Sequence, residues 1–242
     1  MGLFDKLTDT DDLTPTTDSL GGDFSTIPSD VYEATLKTVY AGQSQRGAQN
    51  LTIIYEANDR EISEVIYFTN KDGENFYKNK QDPKKKSPLP GFTTVNDLCL
   101  LATGFPLKEQ KSETKTVKVW DWESRKEIPK PVECLTALHG KAIDLGVLEI
   151  CENKQKANDQ GVYVPTAETR MKNEINKIFH SDTKCTVLEL RNGIEKGEVI
   201  TTWRDRNQGK MRDNSKKVTE STNATGAAGS GRPEPKSLFG AQ

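Results

Sequence analysis

The stretch DVYEATLKTVYAG, residues 30–42, alternates. Tyr32, Ala34, Leu36, Thr38 and Tyr40 fall on one side of an extended chain, and Glu33, Thr35, Lys37 and Val39 on the other. A period of two marks a half-buried strand. Gly42 and Gly47 bracket the turn that follows. NLTIIYEA (50–57) reads as a second strand, with Leu51, Ile53 and Tyr55 on one face. NDR (58–60) turns the chain, and EISEVIYFTN (61–70) reads as a third strand. Ile62, Ile66 and Phe68 share one of its faces, Val65 and Tyr67 the other. Strands joined in succession by short turns form an antiparallel meander.

Downstream, KDGENFYKNKQDPKKKSPLPGF (71–92) is a long basic loop broken by Pro83, Pro88 and Pro90. TTVNDLCLLATG (93–104) then predicts a helix, capped by Thr94, with Val95, Leu98, Leu101 and Ala102 inward and Gly104 as its stop. TKTVKVWDWES (114–124) predicts a fourth strand. VECLTALHG (132–140) predicts a short helix or turn, and KAIDLGVLEICENK (141–154) a fifth strand. The order β-β-β-α-β-β is that of the oligonucleotide/oligosaccharide-binding (OB) fold, a five-stranded, partly open antiparallel barrel with its helix between strands three and four. The expected class is mainly β (α+β). Beyond the barrel, GVYVPT (161–166) reads as a short strand and AETRMKNEINKIFH (167–180) as a helix through Met171, Ile175 and Ile178. The expected organisation is a flexible acidic arm over 1–28, the barrel over 29–153, a helical extension packed on it over 154–212, and a disordered tail over 213–242.

Composition narrows the function. Hydrophobic residues make up 33% of the 242, low for a chain packed throughout, and this favours segments outside any core. No apolar run reaches the roughly 18–20 residues that span a bilayer. The first residues carry neither a signal-peptide pattern nor a complete myristoylation pattern, and the expected location is the cytoplasm. Cys99, Cys134, Cys151 and Cys185 form no CxxC pair, and the histidines are His139 and His180 alone. Free thiols, no metal site and no cofactor are expected. P-loop, GxSxG, GxGxxG and HExxH patterns are missing, so catalysis is not expected. The net charge of −2 is uneven. Residues 1–30 carry seven aspartates against Lys6, and the body over 31–212 is mildly basic.

Several side chains are candidates for contact with nucleic acid. Phe76, Tyr77, Lys78, Lys80, Lys84, Lys85 and Lys86 interleave flat rings with movable cations. Bases stack on the first, and phosphates are neutralised by the second. The other reading is a solvated loop with Phe76 packed inward. Lys118, Trp120 and Trp122 share one strand face opposite Val117 and Val119, so either the tryptophans form a core or they face outward. Arg46 lies in the first hairpin turn, Lys37 on the first strand, and Tyr67 on the outer face of the third. Arg204, Arg206, Lys210 and Arg212 form either a basic flank or an ordinary helix end. Leu238 and Phe239 are apolar side chains in a tail of glycine, serine and proline; they are either a chance remnant that packs loosely on the protein's own surface or a segment that docks on a partner protein.

The segments 27–57, 89–104 and 161–179, with WRDRNQGK (203–210), resemble the single-stranded-DNA-binding proteins of tailed bacteriophages. The resemblance covers most of 27–212 and lies in pattern and arrangement. It implies coating and protection of exposed strands during phage replication and recombination, with replication or recombination proteins as partners of the tail. It carries over onto Arg46, Tyr67, the loop 76–86, Trp120 and Trp122. One departure stands out: such proteins end in an acidic tail, whereas here residues 213–242 are slightly basic and the acidic segment is at the other end. Two other classes fit the pattern, a protein-interaction or virion-associated module on the same scaffold and a metal-dependent nuclease.

Overall fold

In the computed structural model, the described residues are 26–78, 82, 84–121, 124–158 and 161–218. Strands dominate, as expected for the mainly β class. The meander is present as β1 (Asp30–Gln43), β2 (Gln49–Ala57) and β3 (Arg60–Tyr67). Its inward side chains are those that alternation selects on β2 and β3. Leu51, Ile53 and Tyr55 are buried, and Ile62, Ile66 and Phe68 pack against them.

β1 departs from simple alternation. Leu36 pairs with Tyr55 and Thr38 with Ile54, so Lys37 is an extra residue in the ladder. This β-bulge reverses the phase of the strand, as one inserted residue must. Leu36 and Val39 are therefore both fully buried, and Thr38 and Tyr40 turn away from the core.

β4 (Phe76–Lys78) and β5 (Lys86–Pro88) form a small separate hairpin inside the basic loop. α1 (Pro90–Thr103) begins earlier than Thr94. Its first helical residue is Pro90, which needs no N–H partner there, and the Thr94 hydroxyl donates back to the Pro90 carbonyl inside the helix. Gly104 ends it in the left-handed conformation, donating to Leu100 O at 2.9 Å. Val95, Leu98, Cys99 and Leu101 are its buried side chains.

β6 (Glu113–Asp121) pairs along its length with β7 (Lys126–Cys134), where a short helix or turn was expected over 132–140; the helical part is a single 3₁₀ turn at Thr136–Leu138. β7 touches the main sheet at one register position, Tyr40 opposite Cys134. Its Pro129 and Pro131 fit that near-edge position, since proline cannot donate to a second ladder.

β8 (Ala142–Ala157) and β9 (Tyr163–His180) are long strands. The helix expected over 167–180 is absent: the segment continues GVYVPT as one strand. The cause lies in β8, where Ile143 through Leu148 are all buried. The backbone of so buried a strand must find hydrogen-bond partners on both edges; β1 supplies them on one (Asp30 opposite Val147, Thr35 opposite Ala142) and β9 on the other. Tertiary pairing overrides the weak helical spacing of Met171, Ile175 and Ile178. Helices follow as α2 (Val187–Arg191) and α3 (Val199–Asn207), and β10 (Met211–Asp213) returns to β8.

The strand path β3-β2-β1-β8-β9 is an open antiparallel sheet. Among the described residues β3 and β9 do not pair, so the sheet does not close into a barrel. The fourth predicted strand, β6, lies off this path. Order begins before residue 30: Ile27 is in the core, and Thr26 donates to Glu149 at 2.5 Å.

The chain divides into two compact units. Of the described residues, one holds those over 26–150 with Met171–Arg212, the other Cys151–Arg170 with those over 213–218. In the first, α3 closes a second apolar cluster of Val31, Leu148, Ile150, Phe179 and Trp203. In the second, Asn153 holds the returning segment through Lys216, accepting its N–H at 2.6 Å and donating to its carbonyl at 3.0 Å. No helix among the described residues is long and apolar enough to cross a membrane.

Candidate nucleic-acid interface

Register places several candidates at one end of the meander. Gly42 pairs with Asn50, and Asn50 with Tyr67; the next row inward is Tyr40, Thr52 and Val65. Directly opposed residues share a face, and this is the face away from the core. Tyr67 and Val65 are each 51% exposed there. The β1–β2 turn that carries Arg46 lies one step beyond the Gly42 row. Gly47 closes it with a positive φ of 92°, donating to Ser44 O at 3.0 Å, and Arg46 is exposed. A side chain at Gly47 would meet Lys71 O at 3.0 Å, so the turn is packed against the start of the basic loop.

The basic loop returns to the same end. Leu89 N–H donates to Asn75 O at 2.9 Å and closes the base of the β4–β5 hairpin. The following turn of α1 sits on β3, with Gly91 against the Tyr67 carbonyl. Within the hairpin, Phe76 opposes Pro88 and Lys78 opposes Lys86. The Lys86 ammonium lies 4.2 Å from the Phe76 ring centroid, a cation–π contact that occupies one face of a half-buried ring. Tyr77, on the opposite face, is 55% exposed. Lys84 and Lys85 are exposed on a turn whose N–H groups donate to Asp82.

Lys118 and Trp120 point away from the half-buried Val117 and Val119, as the outward alternative requires; Trp120 is 49% exposed. They are not gathered with Tyr67. The β6–β7 ladder starts at Glu113 opposite Cys134 and runs outward to Asp121 opposite Lys126. Trp120 therefore stands about 24 Å along the strand from the Tyr40 row. Beyond it, the Asp121 carboxylate accepts from the Ser124 hydroxyl at 2.6 Å and its N–H at 2.9 Å, bonds that hold it below the usual carboxylate range. Lys37 is engaged elsewhere, in an exposed ion pair with Glu61. Lys80, Trp122, Leu238 and Phe239 lie outside the described residues.

Sequence reasoning missed β7, because its prolines hide it; Ile128 and Val132, half-buried four positions apart, were the available signal. It also missed Tyr40 as an outer-face residue, because the bulge was not foreseen. Arg204 is tied to Asp30 at 2.9 Å and so has a structural role.

A groove of about 570 Å³ between α1, β9 and α2 is lined by Pro90, Asp97, Ile178, Val187 and Leu188 among others, and none of the candidates lines it. Cys99, Cys134 and Cys185 are buried free thiols, and burial pushes the Cys99 thiol up to about 12. Among the described residues no three of His, Cys, Asp and Glu stand close enough to hold a metal ion. No protein-family model matches the chain, and no curated protein matches it either.

Proposed function

We propose that this protein is a non-catalytic, sequence-tolerant binder of single-stranded DNA that coats exposed strands, as in phage replication and recombination, on an OB-type scaffold. The strand path β3-β2-β1-β8-β9, with α1 between β3 and β8 in the chain, supports a partly open version of that fold. In this version the fourth and fifth strands are β8 and β9, and β6–β7 is an inserted hairpin.

One observation carries the functional reading. Tyr67, Tyr77 and Trp120 are each about half exposed, on strands whose ladders and turns also carry exposed Arg46, Lys78, Lys86 and Lys118. Half-exposed aromatic side chains on surfaces that also carry cations are the combination that stacks bases and neutralises phosphates. Bases would lie on the three rings and phosphates on the four cations.

A salt-titrated binding assay with oligo(dT), duplex DNA and RNA tests the proposal. The expected result is micromolar or tighter affinity for the single strand, steep weakening with salt and quenching of tryptophan fluorescence. No binding at low salt refutes it. Retained affinity in Trp120→Ala plus Trp122→Ala refutes the part assigned to the hairpin. Labelled single strands degraded in magnesium or manganese would instead identify a nuclease.

A further inference from the structure

The β6–β7 hairpin stands off the main strand path and joins it at one register position, Cys134 opposite Tyr40. Just past that position, Leu135 N–H donates to Val39 O at 2.9 Å, toward β1. Backbone N–H directions alternate along a strand, so Glu127 and Glu133 aim theirs to this same side, away from β6. Pro129 and Pro131 occupy the two positions between them, and proline has no N–H to offer. The outer edge of β7 is thus stripped of donors over its middle. By the same alternation, the ladder with β7 takes the N–H groups of Glu113, Lys115, Val117 and Val119. Those of Thr114, Thr116 and Lys118 point outward from the hairpin, with their carbonyls beside them. These three residues are exposed, β6 contains no proline, and among the described residues it pairs with β7 alone. The end strands β3 and β9 differ from it: α1 packs against the first and lines a groove with the second.

An exposed strand edge of this kind is a template for another chain. We propose that it takes the same strand of a second copy: β6 pairs antiparallel with β6 about a two-fold axis at Thr116, and two hairpins become one four-stranded sheet. Charge selects this register. An axis at Thr116 sets Thr114 opposite Lys118, Lys115 opposite Val117 and Glu113 opposite Val119, so no like charges are directly opposed. An axis at Val117 opposes Glu113 to Asp121, one at Lys115 or Lys118 opposes two lysines, and one at Thr114 pairs only 113–115 within the strand. In the chosen register Lys115 meets its counterpart only on the diagonal, and Glu113 holds each at 3.1 Å. Continuing the ladder by two residues sets exposed Lys111 opposite Asp121. On the half-buried face, Val117 and Val119 with Ile128 and Val132 meet the same stripe of the second copy. Assembly ends at two copies, because the pairing uses both β6 edges and the prolines close those of β7. An edge this short buries less than the roughly 1,200 Å² of a standard interface, so the dimer forms only as concentration rises. The pairing does not depend on whether the outer face binds DNA.

Sedimentation of the full chain without nucleic acid, from micromolar to near-millimolar protein, tests this. The mass rises with concentration from one chain toward two and stops there. Thr116→Pro removes an N–H that β7 does not use, and Thr116→Lys sets two like charges across the axis. Each holds the chain at the mass of one. Thr116→Cys treated with a short bis-maleimide yields a cross-linked pair of chains. Ser124→Cys, in the β6–β7 turn, yields no more than the parent, whose partly buried Cys151 sets the background. The cross-link carries the decision if Thr116→Pro disturbs the hairpin. A one-chain mass throughout, growth past two chains, or association unchanged in Thr116→Lys overturns the pairing.

Discussion

Gly91 shows how one residue can fix the position of a candidate contact. A Cβ there would stand 2.0 Å from the Tyr67 carbonyl oxygen and 3.2 Å from Ile66 Cγ2, so the start of α1 lies directly against the end of β3. Gly91→Ala must push the helix off the strand, and overpacking of this kind costs roughly 1–3 kcal/mol. Chemical denaturation should show that loss, and any DNA affinity should fall with it because Tyr67 shifts. Glu189 is the second such residue. It accepts from Thr186 N–H at 2.8 Å, Glu198 N–H at 2.7 Å and Val199 N–H at 2.9 Å, and so ties α2 to the start of α3. Burial alone would raise its carboxyl, but these donors together hold it below the usual range. The stability it contributes is present above the ordinary carboxylate pKa and is lost as pH falls through the lowered one. Glu189→Gln replaces an acceptor with a donor facing N–H groups and should cost about 2–3 kcal/mol in urea unfolding at neutral pH. An unchanged midpoint would show that the capping is redundant.

At the scale of elements, the bulge in β1 governs which side chains reach the core. Deleting Lys37 leaves Leu36 and Val39 two positions apart, so simple alternation carries both inward without the bulge. The expected outcome is a thermal stability close to that of the parent, since neither fully buried side chain goes to water. Lys37→Ala, which removes only the exposed ion pair with Glu61, should likewise leave thermal stability little changed. A large fall on deletion alone would show that the bulge itself is needed for the packing of β1. This strand also shows what was legible in the sequence. Its existence, and those of β2, β3 and α1, follow from local periodicity because each buries one face. The bulge leaves no local signal, since Thr38 and Val39 are both good strand residues. β9 was misread for a related reason: its state is decided by the edge of β8, a partner that its own spacing does not reveal. β7 was hidden by two prolines that a near-edge strand tolerates. Of the candidate site, the outward rings Tyr67 and Trp120 were legible from alternation. The distance between them was not, because it depends on β6 pairing with β7 instead of joining the main path.

At the scale of the whole molecule, charge separates along the chain, and the structure says where to cut. Residues 1–25 hold six aspartates and one lysine, while Thr26 bonds Glu149 and Ile27 is core. Removing 1–25 therefore takes away a net charge of −5 without touching a described contact. A negative segment tethered to a basic surface competes with a polyanion for it, and that competition weakens as salt screens both. The truncated protein should bind oligo(dT) more tightly than the full chain at low ionic strength, with the two converging at about 0.5 M salt, where the Debye length has shrunk to a few ångströms. Removing 219–242, where two glutamates offset Arg232 and Lys236, leaves the net charge unchanged, so affinity should stay the same. If the N-terminal truncation instead weakens binding at low salt, residues 1–25 contribute contacts of their own and the competing role is wrong. If removal of 219–242 produces the gain, the competitor is the tail at the other end, acting through something other than net charge.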